Sequence, residues 1–138
     1  MTIICADPSP VSLMALRRDV KKILPDSDVH LCRYSESAIR LAKKYGCDVL
    51  ITEIDFGRDK GEGIKLVEEI VKLLPKVNII FATTASYNEY AALIIQIKFS
   101  GYLTKPYLTE DLKKELQELR FQVKQNGICS CKPTVMPD

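Results

Sequence analysis

One histidine, His30, is all that these 138 residues contain. A lone imidazole in an outer strand-like run is read as structural, and it leaves no material for a His-based catalytic or metal centre. Long apolar runs are missing too. A membrane-spanning helix needs roughly 20 continuous apolar residues, and the stretches near Val77–Ala82 and Ala91–Ile97 fall far short. The opening Met1-Thr2-Ile3-Ile4-Cys5-Ala6-Asp7 has no basic start and meets an acid early, so it does not read as a secretory leader. Charge of one sign is also lacking. The formal +2 is spread along the chain, so neither nucleic acid nor membrane is expected as a direct partner. The five cysteines are odd in number and irregular in spacing, with Cys5 and Cys32 inside apolar runs, which suits a reducing cytoplasm. Cys129-x-Cys131 has no further cysteine or histidine close by and is read as an incidental tail pair. No Gly-x-Ser-x-Gly elbow appears, which argues against a hydrolase and against an enzyme acting on an outside substrate.

What is present is the 46% hydrophobic and 28% charged composition of a soluble globular domain, in a chain the size of one domain. Short apolar runs alternate with amphipathic stretches. Thr2–Ala6 reads as a buried strand, followed by a helix opened near Ser9 and Pro10 and faced by Leu13, Leu16, Val20, Ile23 and Leu24. Val29–Cys32 is a second strand, and Ser35 caps a helix that Gly46 ends. Val49–Ile54, Val77–Ala82 and Tyr102–Thr104 are expected as strands three to five. A helix faced by Ile64, Val67, Ile70 and Leu74 follows the third, and Tyr87–Lys98 follows the fourth. Thr109 caps a last helix carrying Leu112, Leu116, Leu119 and Val123. Residues 1–124 are expected to form the domain, and 125–138 a disordered tail or linker stump.

Strands buried on both faces and separated by helices imply a doubly wound parallel α/β sheet. In such sheets ligands meet the carboxyl ends of the strands. Those ends supply Asp7 after strand one, Glu53 and Asp55 around the end of strand three, Thr83 and Thr84 after strand four, and Lys105-Pro106 after strand five. Carboxylates beside a lysine and a hydroxyl suit Mg²⁺ together with a phosphoryl group, and an aspartate there can become an acyl phosphate.

On these residues the chain resembles the receiver domain of two-component response regulators over about residues 2–124. The matching segments are Ile3-Ile4-Cys5-Ala6-Asp7, Asp48-Val49-Leu50-Ile51-Thr52-Glu53-Ile54, Glu62-Gly63-Ile64 and Ile79-Ile80-Phe81-Ala82-Thr83-Thr84-Ala85. Gly101-Tyr102-Leu103-Thr104-Lys105-Pro106-Tyr107 is the most specific match. The resemblance implies a flavodoxin-like (βα)5 sandwich of strand order 2-1-3-4-5. It also implies Mg²⁺ held by Asp7, Glu53 and Asp55, Thr84 and Lys105 contacting phosphate, Tyr102 as a switch aromatic, and a cis Lys105–Pro106 bond.

The departures from that pattern are specific. Ala6 replaces the first acid of a pair, and Phe99 stands where a small residue is usual. The loop Asp55–Gly61 lacks the usual Met-Pro and is two residues too long. Counting forward from Asp48 puts the phosphoacceptor position at Glu53; counting back from Gly63 puts it at Asp55. Strand register is fixed by burial whereas loop length drifts, which favours Glu53. Residues i and i+2 of a strand share a face, so both acids are expected to border one pocket. A glutamate reaches roughly 1.5 Å further than an aspartate, and a misplacement of about 1 Å costs about 100-fold in rate. Phosphorylation is therefore expected to be lost or very slow, with Glu53 acting as a partial mimic.

The expected function is switching of a protein–protein surface. The partners implied are a histidine kinase or phosphotransfer protein, a downstream output protein or domain, and a second copy of the chain through the apolar stretch Tyr90–Ile97 and helix five. The alternative is a flavodoxin-like module binding a nucleotide or other small molecule, although Asp7-Pro8-Ser9-Pro10 offers no Gly-rich phosphate loop.

Overall fold

Strict alternation of strand and helix is what the chain builds. The computed structural model describes residues 1–57, 60–97 and 99–129. In chain order the elements are β1 (Thr2–Ala6), α1 (Pro10–Ile23), β2 (Asp28–Cys32), α2 (Ser35–Tyr45), β3 (Val49–Thr52), α3 (Glu62–Leu73), β4 (Asn78–Thr83), α4 (Tyr87–Ile94), β5 (Gly101–Thr104) and α5 (Thr109–Cys129). All pairings are parallel, in the order β2-β1-β3-β4-β5 expected from the sequence.

The inner strands are apolar through their middles because both faces are covered. Successive side chains of a strand point to opposite faces, and the core divides accordingly. Ile4, Leu50, Ile79 and Phe81 pack under α2, α3 and α4. Ile3, Cys5, Val49, Ile51 and Ile80 pack under α1 and α5, against Leu13, Leu16, Val20, Leu112 and Leu116. Ser9 caps α1, its side chain accepting from the Ser12 amide at 3.2 Å, and Pro10 follows where its missing N–H costs nothing. His30 lies on the outer strand and stacks on Tyr45, ring centroids 4.6 Å apart.

Three boundaries differ by two residues or more from the sequence reading. The third strand stops at Thr52 rather than Ile54, because Thr52 is the last residue paired with both β1 and β4. The fourth helix ends at Ile94 instead of Lys98. Beyond it, Gln96 N–H donates to Leu93 O and Ile97 N–H to Ile94 O, tight three-residue turns that bring Ile97 and Phe99 onto the core. The last helix continues to Cys129, past the boundary placed at residue 124. Arg58, Asp59, Lys98 and the tail from residue 130, Cys131 included, lie outside the described residues.

Candidate functional site

The sheet positions the site by one backbone hydrogen bond beyond each strand. Asp7 N–H donates to Cys32 O at 3.0 Å, Glu53 N–H to Ala6 O at 2.9 Å, and Lys105 N–H to Thr83 O at 2.7 Å. Each functional side chain is thus the first residue past its strand, still held by the neighbouring one. The three converge. Lys105 Nζ donates to Asp7 Oδ2 at 2.5 Å and to Glu53 Oε1 at 3.0 Å, with both carboxylates nearly fully buried. The Lys105–Pro106 bond is cis. Burial works to lower the Lys105 pKa, but the bonds and charges of Asp7 and then Glu53 outweigh it and hold the ammonium above the usual lysine value.

Every carboxylate oxygen in this cluster already has a donor. Asp7 Oδ1 accepts from the Ser9 amide at 2.8 Å, and Glu53 Oε2 from the amides of Ile54 at 2.7 Å and Asp55 at 3.3 Å. The expected trio of Asp7, Glu53 and Asp55 does not assemble. Asp55 leaves the sheet and turns into the loop, where its Oδ1 accepts from the Gly61 amide at 2.8 Å and the Tyr90 hydroxyl at 2.6 Å. The expectation that Glu53 and Asp55 share a face fails because the strand ends at Thr52, so its two-residue period does not reach Asp55. Among the described residues no three acidic, Cys or His side chains are grouped to hold a cation. The two acids left at the sheet end, Asp7 and Glu53, each accept from Lys105 through one oxygen and from a backbone amide through the other.

Gly63 explains how both counts along the sequence land where they do. Its amide donates to Ile54 O at 2.7 Å, and a Cβ there would meet Glu53 O at 2.0 Å. The first turn of α3 thus lies directly on the Glu53–Ile54 backbone. Gly57 and Gly61, on either side of the undescribed Arg58 and Asp59, adopt positive φ of 101° and 79°.

The hydroxyls divide as well. Thr83 is fully buried, its Oγ1 accepting from the Ala85 amide at 3.1 Å. Thr84 is exposed and lines a cleft of about 440 Å³ with Asp7, Lys105 and Tyr107. Tyr102 is half-buried, its hydroxyl donating to Ala85 O at 2.8 Å and its ring lying edge-on to Tyr87 at 5.5 Å. Burial, then the charge of Glu53, pushes its phenol up to about 12. Phe99, bulky where a small residue was expected, joins Phe81 and Tyr87 in the same aromatic group.

Tyr90 was not legible as a site residue. In the sequence it belonged to an apolar surface stretch, but it is buried and bonded to Asp55, and Ile94 is fully buried. Neither therefore belongs to a docking surface, while Leu93 and Ile95 are exposed. The same periodicity that separates these pairs, three to four residues per turn, was the available signal.

Comparison with known proteins adds the family. Residues 3–117 match the family model described as response regulator receiver domain. The transcriptional regulatory protein RcsB of Salmonella typhi is 29% identical over 121 residues, 87% of this chain and 56% of that protein. RcsB of Escherichia coli K12 is 28% identical over the same shares. The chain thus spans about half the length of the curated relatives it matches. Among solved structures, a two component transcriptional regulator AraC from Clostridium phytofermentans is 26% identical with a TM-score of 0.79, covering 92% of this chain and 98% of that one. The isolated receiver domain of RcsB from Salmonella enterica serovar Typhimurium, in the presence of the phosphomimetic BeF3-, is 25% identical with a TM-score of 0.75, covering 88% of each. With its motifs, strand order and family match in agreement, the chain belongs to the response regulator receiver domain family.

Proposed function

We propose that this receiver signals through protein contacts with Glu53 at the phosphoacceptor position, as a built-in partial substitute for a phosphorylated aspartate. The observation that carries this reading is the Lys105 ammonium set between the carboxylates of Asp7 and Glu53. The longer glutamate side chain reaches Lys105 from the end of β3 without any added group. Glu carries a charge of −1 against about −1.5 to −2 for a phosphate, so the substitution is partial. Tyr102 supports the same reading. Its hydroxyl ties β5 to the Ala85 carbonyl, one residue beyond Thr84, and so links the fifth strand to the segment leading into α4.

The output surface we infer comprises α4, β5 and α5, where Tyr87, Leu93, Ile95 and Leu108 are exposed. Its partner is a downstream output protein or domain, and the chain acts by docking rather than by catalysis. The receiver unit comprises residues 1–124. A histidine kinase or phosphotransfer protein would find Glu53 unable to accept a phosphoryl group at an ordinary rate.

Incubation with acetyl phosphate and Mg²⁺ followed by intact mass spectrometry tests this. The wild-type chain is expected to stay unmodified, and the double variant Ala6→Asp/Glu53→Asp to gain a phosphoryl adduct. A stable stoichiometric adduct on the wild type overturns the proposal.

A further inference from the structure

Away from the Lys105 cluster, the free edge of β2 opens between α1 and α2 into a groove of about 850 Å³. Leu13 and Met14 of α1 form one wall, Leu41 and Tyr45 of α2 the other, and Leu31 of β2 lies between them. The lining is largely apolar yet open to solvent: Met14 is 63% exposed, Tyr34 61% and Tyr45 49%. Isolated apolar side chains on a surface are ordinary, but a contiguous group of them marks an interaction site.

The charge at this groove is one-sided. Arg33, Arg40 and Lys44 line it, and no acidic residue does. A chain of net charge +2 does not impose this bias everywhere. The shallow hollow on α5, for instance, mixes Glu110 and Glu118 with Lys113 and Lys114. None of the three groove cations forms an ion pair among the described residues. They are nonetheless held in place. Arg33 Nε donates to Pro8 O at 3.1 Å, Arg40 to Ser37 Oγ at 3.2 Å, and Lys44 Nζ lies 5.1 Å from the Tyr45 ring centroid. Arg33 bonds through Nε alone, so the terminal nitrogens of its guanidinium keep their donors for an incoming carboxylate.

The backbone adds a third feature. β2 has one neighbour, β1. Asp28 donates to Met1 O and Cys32 accepts from Asp7, so the alternate residues Val29 and Leu31 present their amides and carbonyls to the outer edge. An extended segment laid along that edge gains main-chain hydrogen bonds as well as side-chain contacts.

We propose that this groove docks an acidic, amphipathic peptide segment of a partner protein along the β2 edge. Its apolar side chains meet Leu13, Met14, Leu31 and Leu41, and its carboxylates meet Arg33, Arg40 and Lys44. Because Arg33 also holds Pro8, the residue after Asp7, an occupant here sits one hydrogen bond from the loop that carries Asp7. The proposal is independent of the role given to Glu53.

Fluorescence anisotropy with a labelled short peptide of alternating Leu and Glu, titrated into the full chain, tests it alongside amide chemical-shift mapping. Saturable binding is expected, with shifts at Leu31, Arg33 and Leu41. The triple reversal Arg33→Glu/Arg40→Glu/Lys44→Glu is expected to weaken it about tenfold or more, and Met14→Asp alone is also expected to weaken it. Lys113→Glu/Lys114→Glu on α5 should leave it unchanged. All these side chains are on the surface, and a thermal melt of each variant identifies any that fails to fold. Absence of saturable binding overturns the proposal. Equal binding of a Ser/Glu peptide, which lacks the apolar half, does so too, as does tighter binding of a single-stranded oligonucleotide or indifference to the triple reversal.

Discussion

Glu53 and Asp55 stand two residues apart, carry the same charge and meet different fates. Glu53 is the first residue past β3, still tied to Ala6, and its carboxylate lies against Lys105 across the sheet end. Asp55 is already in the loop, and its carboxylate holds the Gly61 amide and the Tyr90 hydroxyl. The difference lies in what fixes the backbone. A strand end inherits its position from hydrogen bonds to both neighbours, whereas a loop residue follows the path its own turns dictate. Glu53 is thus placed by β1 and β4, and Asp55 by Gly57, Gly61 and α4. One acid faces Lys105; the other braces the loop against α4.

The largest effect should come from breaking the first arrangement. Lys105→Ala leaves two buried carboxylates facing each other without a cation, and is expected to cost about 3 kcal/mol of stability, measured by urea unfolding. Tyr90→Phe attacks the second arrangement. It removes one hydrogen bond to a carboxylate, worth about 1.5 kcal/mol, and is expected to speed amide exchange at Gly61 while leaving exchange at Glu53 unchanged. Equal acceleration at both would mean that the two acids form one unit. The smallest effect is set by pH. The folded pKa of Lys105 is raised, so its contribution is fully present below the ordinary lysine value of about 10.4 and is lost as pH climbs through the raised value. The stability gap between wild type and Lys105→Met is therefore expected to be flat through neutral pH and to narrow only under strongly alkaline conditions. A gap that closes near neutrality would show that the ammonium is not held by the two acids.

The same contrast explains what the sequence made legible. β1 was readable to the residue because Thr2–Ala6 is an apolar run ended by an acid, and burial on both faces leaves such a run no other reading. Glu53, Asp7 and Lys105 were readable together because each directly follows a strand of one parallel sheet. The end of β3 was not, since Glu53 and Ile54 are as buried as the strand itself yet have passed its last paired residue. The length of α4 was hidden for a similar reason. Ile95 and Ile97 continue the apolar composition of the helix, but the chain has left the helix for tight turns. The partnership of Tyr90 with Asp55 depends on the path of a loop, and apolar periodicity carries no information about that path. Local composition reports burial; it does not report where a chain turns.

The most direct test of the central arrangement is a double-mutant cycle on Glu53→Gln and Lys105→Met, with unfolding free energies measured at neutral pH and low salt. A buried, hydrogen-bonded ion pair predicts a coupling energy of about 1.5 kcal/mol or more. Additivity within about 0.3 kcal/mol would mean that Glu53 and Lys105 do not engage each other, and would contradict the account of the switch.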